Sequence, residues 1–295
     1  MSRPTRATVE GRAYLDVKRL AVSDGRSTDE MHHLYVLECF LARLATTKES
    51  EHLILKGGAL LAAFGTRRPT RDVDLQAGGI PSDADAVLAL VRAVASVRLG
   101  DGVVFDCDGA RAELIRDGDE FNGVRVGMMA SLARARVVFH VDVNIGDPVW
   151  PAPQWIKVPR LLGGHIRLLG YPLHMVHAEK IVTAVERGTF NTRWRDFGDI
   201  WTLSSRHAIV GSDLQRAIEE VSTFRRVELK PLSVVLDGFA ADAQARWALW
   251  RRRLKRDDLP TEFAQVLDRV VSFADQPLLG EAATLQWSAS AAAWG

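Results

Sequence analysis

Leu55 to Leu75 reads LKGGALLAAFGTRRPTRDVDL, and the order of residue types along it decides the fold. Just upstream, HLIL (52–55) is short, apolar and strand-like, and Gly57-Gly58 stops it. ALLAAF then suits a turn or two of helix, RRPTR is a basic loop, and DVDL alternates polar with apolar as a half-buried strand does. In a strand, side chains two apart leave from one face, so Asp72 and Asp74 project together while Val73 and Leu75 turn to the core. Paired carboxylates of this kind suit a divalent cation, Mg2+ or Mn2+. Gly57 and Gly58, at a strand end and before a helix, expose backbone N–H groups and let a phosphate come close. Taken singly, Asp-x-Asp reads as a solvated strand face and Gly-Gly as a plain turn. Their succession, with thirteen residues between Gly58 and Asp72, changes the balance.

Outward from this stretch the pattern stays regular. Ser27-Thr-Asp-Glu30 reads as a capping box opening a helix that runs to about Ala45. Pro81-Ser82 opens a second helix, DADAVLALVRAVASV, and three strand-like runs follow: VVFDC, GVRVGMMA and ARVVFHVDVNI. The expected fold class is α/β of the α+β kind, a mixed β-sheet flanked by helices and followed by an α-helical C-terminal domain. GDPVWPAPQWIKVPRLLGG is dense in Pro and Gly and reads as an irregular passage between domains, so the boundary is expected near residue 150, giving domains 1–150 and 151–295. Beyond it LHMVHAEKIVTAVERG, TRWRDFGDIWTLSSR and SDLQRAIEEVST read as helices ending at Gly188, capped by Thr192 and starting at Ser212. The tail after Pro277 has no clear pattern.

Composition bounds the function. With 295 residues, 47% of them hydrophobic and 25% charged, the chain reads as globular and long enough for two cores. Cys39 and Cys107 have no Cys-x-x-Cys or Cys/His spacing, so neither a disulfide framework nor a zinc site is indicated and both read as buried free thiols. No run approaches the ~20 apolar residues of a membrane span, and MSRPTRATVEGRAYLDVKRL lacks a signal-peptide core, so a cytoplasmic location is expected. A net charge of +1 conceals local clusters: Arg225, Arg226 and Lys230, then RRRLKR from Arg251 to Arg256 close behind Trp247 and Trp250.

The apolar strand, Gly-Gly and spaced Asp-x-Asp together resemble the signature of the DNA polymerase β-like nucleotidyltransferases. Neither Gly-x4-Gly-Lys-Ser/Thr nor Gly-x-Gly-x-x-Gly occurs around these glycines, so this is not a Walker A or dinucleotide loop. LKGGALLAAFGTRRPTRDVDL, then NGVRVGMMASLARARVVFHVDVNIGDPVWP, then AEKIVTAVERG with TRWRDFGDIWTL follow the motif order of the AbiEii-like toxin nucleotidyltransferases, over about half the chain. The resemblance implies that Lys56, Gly57 and Gly58 bind a nucleoside triphosphate and that Asp72 and Asp74 hold the metal. Thr70 takes the place of a hydroxyl residue usual two before the first Asp. By strand alternation it shares their face, though it also reads as a hydroxyl satisfying local backbone.

Three further positions extend the site. Asp142, in FHVDVNIGD, is a third carboxylate suited to a second metal or a general base, set against the reading of an edge polar group beside Asn144 and Asp147. Lys180, midway along an apolar helix, matches the catalytic lysine of the family's Glu-Lys pair as Glu179-Lys180; the alternative is a snorkelling surface lysine. Asp196 and Asp199 match the family's Arg-Asp-x-x-Asp segment, and Asp196 is expected to orient Lys180 or substrate, with Asp142 or Asp196 helping to deprotonate the acceptor. Gly198 departs from the family pattern and leaves the stability of that helix in question.

Membership would imply a toxin of a toxin–antitoxin pair that adds nucleotides to the 3′ end of tRNA with Mg2+ and blocks translation, opposed by a cognate antitoxin whose direct binding stays open. Arg193, Arg195, Arg225, Arg226 and Arg251–Arg256, with their tryptophans, could grip RNA phosphates and stack a base; WALWRRRLKR also reads as an amphipathic helix with a solvated basic side. Two alternatives remain: a nucleotidyltransferase acting on a protein or small-molecule hydroxyl, and a non-catalytic nucleic-acid-binding protein.

Overall fold

The computed structural model describes residues 3–78, 83–117 and 120–295. By internal contacts these fall into two units, 1–146 with 154–171 and 147–153 with 172–295. The first contains, in chain order, α1 (Val9–Ser23), α2 (Thr28–Leu44), β1 (Leu53–Lys56), α3 (Gly57–Leu60), β2 (Asp72–Ala77), α4 (Ala84–Ser96), β3 (Val103–Asp117), β4 (Glu120–Leu132), β5 (Ala135–Ile145), β6 (Gln154–Pro159) and β7 (His165–Gly170). The second contains α5 (Leu173–Arg187), α6 (Trp194–Ser204), β8 (Ile209–Val210), α7 (Gly211–Arg225), α8 (Leu232–Val235), α9 (Phe239–Arg253), α10 (Phe263–Leu279), β9 (Gln286–Ser288) and β10 (Ala293–Trp294).

Among the described residues the first unit's sheet has seven strands in the order β3-β4-β5-β2-β1-β7-β6. It is mixed: β2 runs parallel to β5 and β1 parallel to β7, and the other pairs are antiparallel. Alternation explains why it is two-faced. Val73, Leu75, Val126, Met128, Phe139, Val141 and Val143 are all at most 2% exposed and form one side. Helix α2 packs on β5 and α4 on β3 from that side, and Phe40, Phe105 and Phe139 meet with ring centroids 5.8–6.1 Å apart. Asp72, Asp74, Arg125, His140 and Asp142 have the opposite parity and emerge on the other face.

Several expectations change. Ser27 is the N-cap of α2 but makes no side-chain capping bond; Glu30 instead pairs with Arg26, so the capping box is not formed. Pro81 and Ser82 lie outside the described residues, and α4 is capped by Asp83, which accepts from the Ala86 N–H at 3.0 Å. The Pro- and Gly-dense stretch expected to be irregular holds β6, which pairs with β7 and extends the sheet. Val158, Ile166 and Leu168 supply the buried positions there, and Pro159 sits at a strand end. Residues 154–171 therefore group with the first unit. Helix α1 occupies a segment from which no element had been read.

The second unit is mostly helical. Trp194, Phe197, Phe239, Trp247 and Phe263 form one aromatic cluster, and Phe273, Trp287 and Trp294 form another that ties α10 to the small β8-β9-β10 sheet. Gly198 does not break α6: a Cβ there would lie 2.9 Å from Leu259, so glycine lets the Leu259 segment pack closely against the helix. Among the described residues no helix is long and apolar enough to cross a membrane.

Candidate active site

The first unit gathers most of the expected residues on its open face. In β2, Asp72 is partnered in register by His140 of β5, and Asp74 by Asp142. On the other side of Asp74, Lys56 is its antiparallel partner in β1. Three carboxylates and one lysine therefore meet across three adjacent strands.

Glycine is required beside them. Gly57 has φ +65, and a Cβ on it would fall 1.9 Å from Asp74 Oδ2. A Cβ on Gly58 would fall 2.6 Å from Thr70 Oγ1. The glycine turn is thus pressed directly against Asp74 and Thr70. Helix α3 is one turn long and continues as a 3-10 turn over 61–64, so any phosphate here depends on close N–H groups more than on a helix dipole. Because β2 begins at Asp72, Thr70 is a loop residue rather than a third member of the strand face, and its hydroxyl lies 3.4 Å from the Asp72 carbonyl.

The charges are unevenly compensated. Asp72 Oδ1 lies 3.0 Å from His140 Nδ1. Asp142, only 8% exposed, accepts two bonds from Arg125 of β4, Nε to Oδ1 at 2.8 Å and Nη2 to Oδ2 at 2.7 Å. Lys56 is buried with Nζ 5.2 Å from the centre of the Tyr171 ring. Asp74 is half-buried, and burial first, then the neighbouring Asp142 and Asp72 charges, raise its pKa above the ordinary carboxylate value, with Lys56 opposing. Among the described residues no three His, Cys, Asp or Glu side chains form a ready metal-ligand group. A pair of open-face carboxylates nonetheless fits Mg2+, which takes one or two carboxylates and completes its shell with water and substrate phosphate.

Lys180 and Asp196 form a cluster within the second unit. Lys180 Nζ donates to Asp196 Oδ1 at 2.8 Å and to Asp199 Oδ2 at 2.9 Å, and Arg193 Nε donates to Asp196 Oδ2 at 2.5 Å. Burial works against the Asp196 charge, but Lys180 and Arg193 outweigh it and hold its pKa well below the usual carboxylate range. Asp199 is thus a second carboxylate partner of the lysine.

Arg193, Arg225, Arg251 and Arg256 bond Asp196, Thr183, the Leu259 carbonyl and Asp258. Arg195, Arg226, Arg252, Arg253 and Lys255 have exposed side chains. Trp247 is fully buried with Nε1 bonded to the Pro260 carbonyl, and Trp250 stacks on it at 5.1 Å. Trp247 is therefore core, and the expectation that it stacks a base is withdrawn.

A family model described as "Nucleotidyl transferase AbiEii toxin, Type IV TA system" matches residues 39–269. The chain belongs to the AbiEii toxin family. Two solved structures resemble it: JHP933 from Helicobacter pylori, with a TM-score of 0.55 at 14% identity over 86% of this chain and 95% of that one, and an H. pylori protein assigned as a nucleotidyltransferase, with 0.52 at 14% identity over 86% and 98%. Identities this low carry the fold alone. No curated protein sequence matches.

Within this AbiEii chain, sequence reading missed Arg125 and His140. A signal for both was present. A hairpin closed by Ala133 and Arg134 sets Arg125 opposite Asp142, and strand alternation puts His140 on the Asp142 face.

Proposed function

We propose that this AbiEii protein transfers a nucleotide from a nucleoside triphosphate to the 3′ end of tRNA, in the presence of Mg2+, and so blocks translation. The observation that carries the reading is the Gly57-Gly58 turn pressed against Asp74, on a strand face that also presents Asp72 and Asp142. Gly57 and Gly58 bind the triphosphate, with Lys56 and Thr70 beside them. Asp72 and Asp74 would hold the divalent cation, with Asp142 as a third candidate ligand. When bound, that cation neutralises phosphate charge and aligns the triphosphate.

Lys180 is the catalytic cation of the second unit. Asp196 orients it, since a carboxyl held so far toward ionisation is a poor proton acceptor and a good anchor for an ammonium. An RNA hydroxyl gives its proton to solvent as its oxygen bonds to the α-phosphorus and the bond to pyrophosphate breaks, and alignment and charge neutralisation lower the barrier. The exposed Arg195, Arg226, Arg252, Arg253 and Lys255 hold RNA phosphates. A cognate antitoxin opposes the activity.

The test is incubation with total tRNA, Mg2+ and each labelled nucleoside triphosphate in turn, beside Asp72→Ala. Label entering tRNA with the wild type and not with the variant supports the reading and names the donor. Triphosphate binding without tRNA labelling moves the acceptor to a protein or small molecule.

A further inference from the structure

We propose that Arg125 is a displaceable counter-ion that holds Asp142 closed to metal in the unloaded protein and moves to Glu113 when a divalent cation arrives. The inference rests on the nucleotidyl-transfer reading above and assigns to Arg125 a positioning part in it.

Geometry carries the argument. The Arg125 guanidinium bonds both oxygens of Asp142, at 2.8 and 2.7 Å, so a cation seeking those oxygens competes with it. Asp142 is 8% exposed and lies in register between Arg125 on β4 and Asp74 on β2. A cation held by Asp74 and Asp142 would approach from the β2 side, opposite Arg125, and would compete with the guanidinium for the charge of the same carboxylate. A buried carboxylate deprived of that partner gains strongly from a new cation.

Arg125 also has somewhere to go. Its register partner on the far side is Glu113 of β3, which projects from the same face and is exposed. Opposite positions on antiparallel strands are within side-chain reach. Arg125 is itself 37% exposed, so the side chain can swing between the two carboxylates. Asp142, Arg125 and Glu113 thus form a row across β5, β4 and β3, with the guanidinium bonded to Asp142 and in register with Glu113. Asp72, by contrast, meets a histidine, which a cation displaces more readily than a bidentate guanidinium.

The experiment is Mn2+ binding to the full chain, followed by electron paramagnetic resonance without nucleotide or RNA. Arg125→Met is expected to bind Mn2+ at least about tenfold more tightly than wild type, and Arg125→Lys, which cannot hold both oxygens, to fall between them. Adding Asp142→Asn to Arg125→Met should cancel the gain. Glu113→Gln, which removes the alternative seat, should weaken Mn2+ binding by about two- to fivefold. An Arg125→Met affinity equal to or below wild type, or a gain that survives Asp142→Asn, overturns the proposal. If tRNA labelling persists alongside such a result, the nucleotidyl-transfer reading stands and only the proposal falls. Loss of both Mn2+ binding and tRNA labelling across wild type and variants overturns the two together.

Discussion

Gly57 shows how one residue joins backbone to chemistry. Its φ of +65 costs an L-residue about 1–2 kcal/mol, and the 1.9 Å approach to Asp74 leaves no room for a methyl group. Gly57→Ala should lower Tm and cut nucleotide transfer at least about tenfold, read by calorimetry and labelled-tRNA formation, because Asp74 must move. Asp74 itself is held at a cost, its charge disfavoured by burial and by Asp142 and Asp72. Asp74→Asn should therefore raise Tm by about 2–4 °C while abolishing transfer; a lowered Tm would contradict the electrostatic account. Asp196 is the opposite case. Its pKa is depressed on folding, so it adds stability above its unfolded value of about 3.9, and that contribution is lost as pH falls below it. Asp196→Asn should cost about 3 kcal/mol at pH 7, because Lys180 loses one of its two carboxylate bonds shown here. Its urea midpoint should also fall less steeply than that of wild type between pH 5 and strongly acid conditions, as pH titrations of unfolding would show.

At the scale of elements, what was legible is what local pattern records. Gly57-Gly58, DVDL and the three strands after α4 each carry a period or a breaker of their own, and all were read in place. The β6–β7 hairpin was not, since prolines at 151, 153 and 159 mask the alternation of Ile156 and Val158, and its place beside β1 is a long-range pairing. Arg125 was missed for a similar reason: its meaning lies across the hairpin in Asp142. Helix α9 shows pattern misleading in the other direction. WALWRRRLKR looks like an aromatic and basic RNA surface, but Trp247 belongs to the core. Trp247→Ala should cost about 3–5 kcal/mol by thermal or urea unfolding. Arg252→Glu combined with Arg253→Glu should change stability by no more than about 0.5 kcal/mol and weaken tRNA binding severalfold.

For the whole molecule, the AbiEii family follows from the match over residues 39–269, and the chemistry is argued from two charged clusters, one in each unit. A net charge of +1 gives no general affinity for nucleic acid, so substrate recognition must lie in local patches rather than in overall charge. If the Asp72–Asp74 face, with its glycine turn, supports nucleotidyl transfer, the protein should release pyrophosphate when given tRNA, Mg2+ and the right nucleoside triphosphate. Release is expected to require both tRNA and Mg2+ and to vanish in Asp72→Ala. Release by Asp72→Ala at the wild-type rate would contradict it.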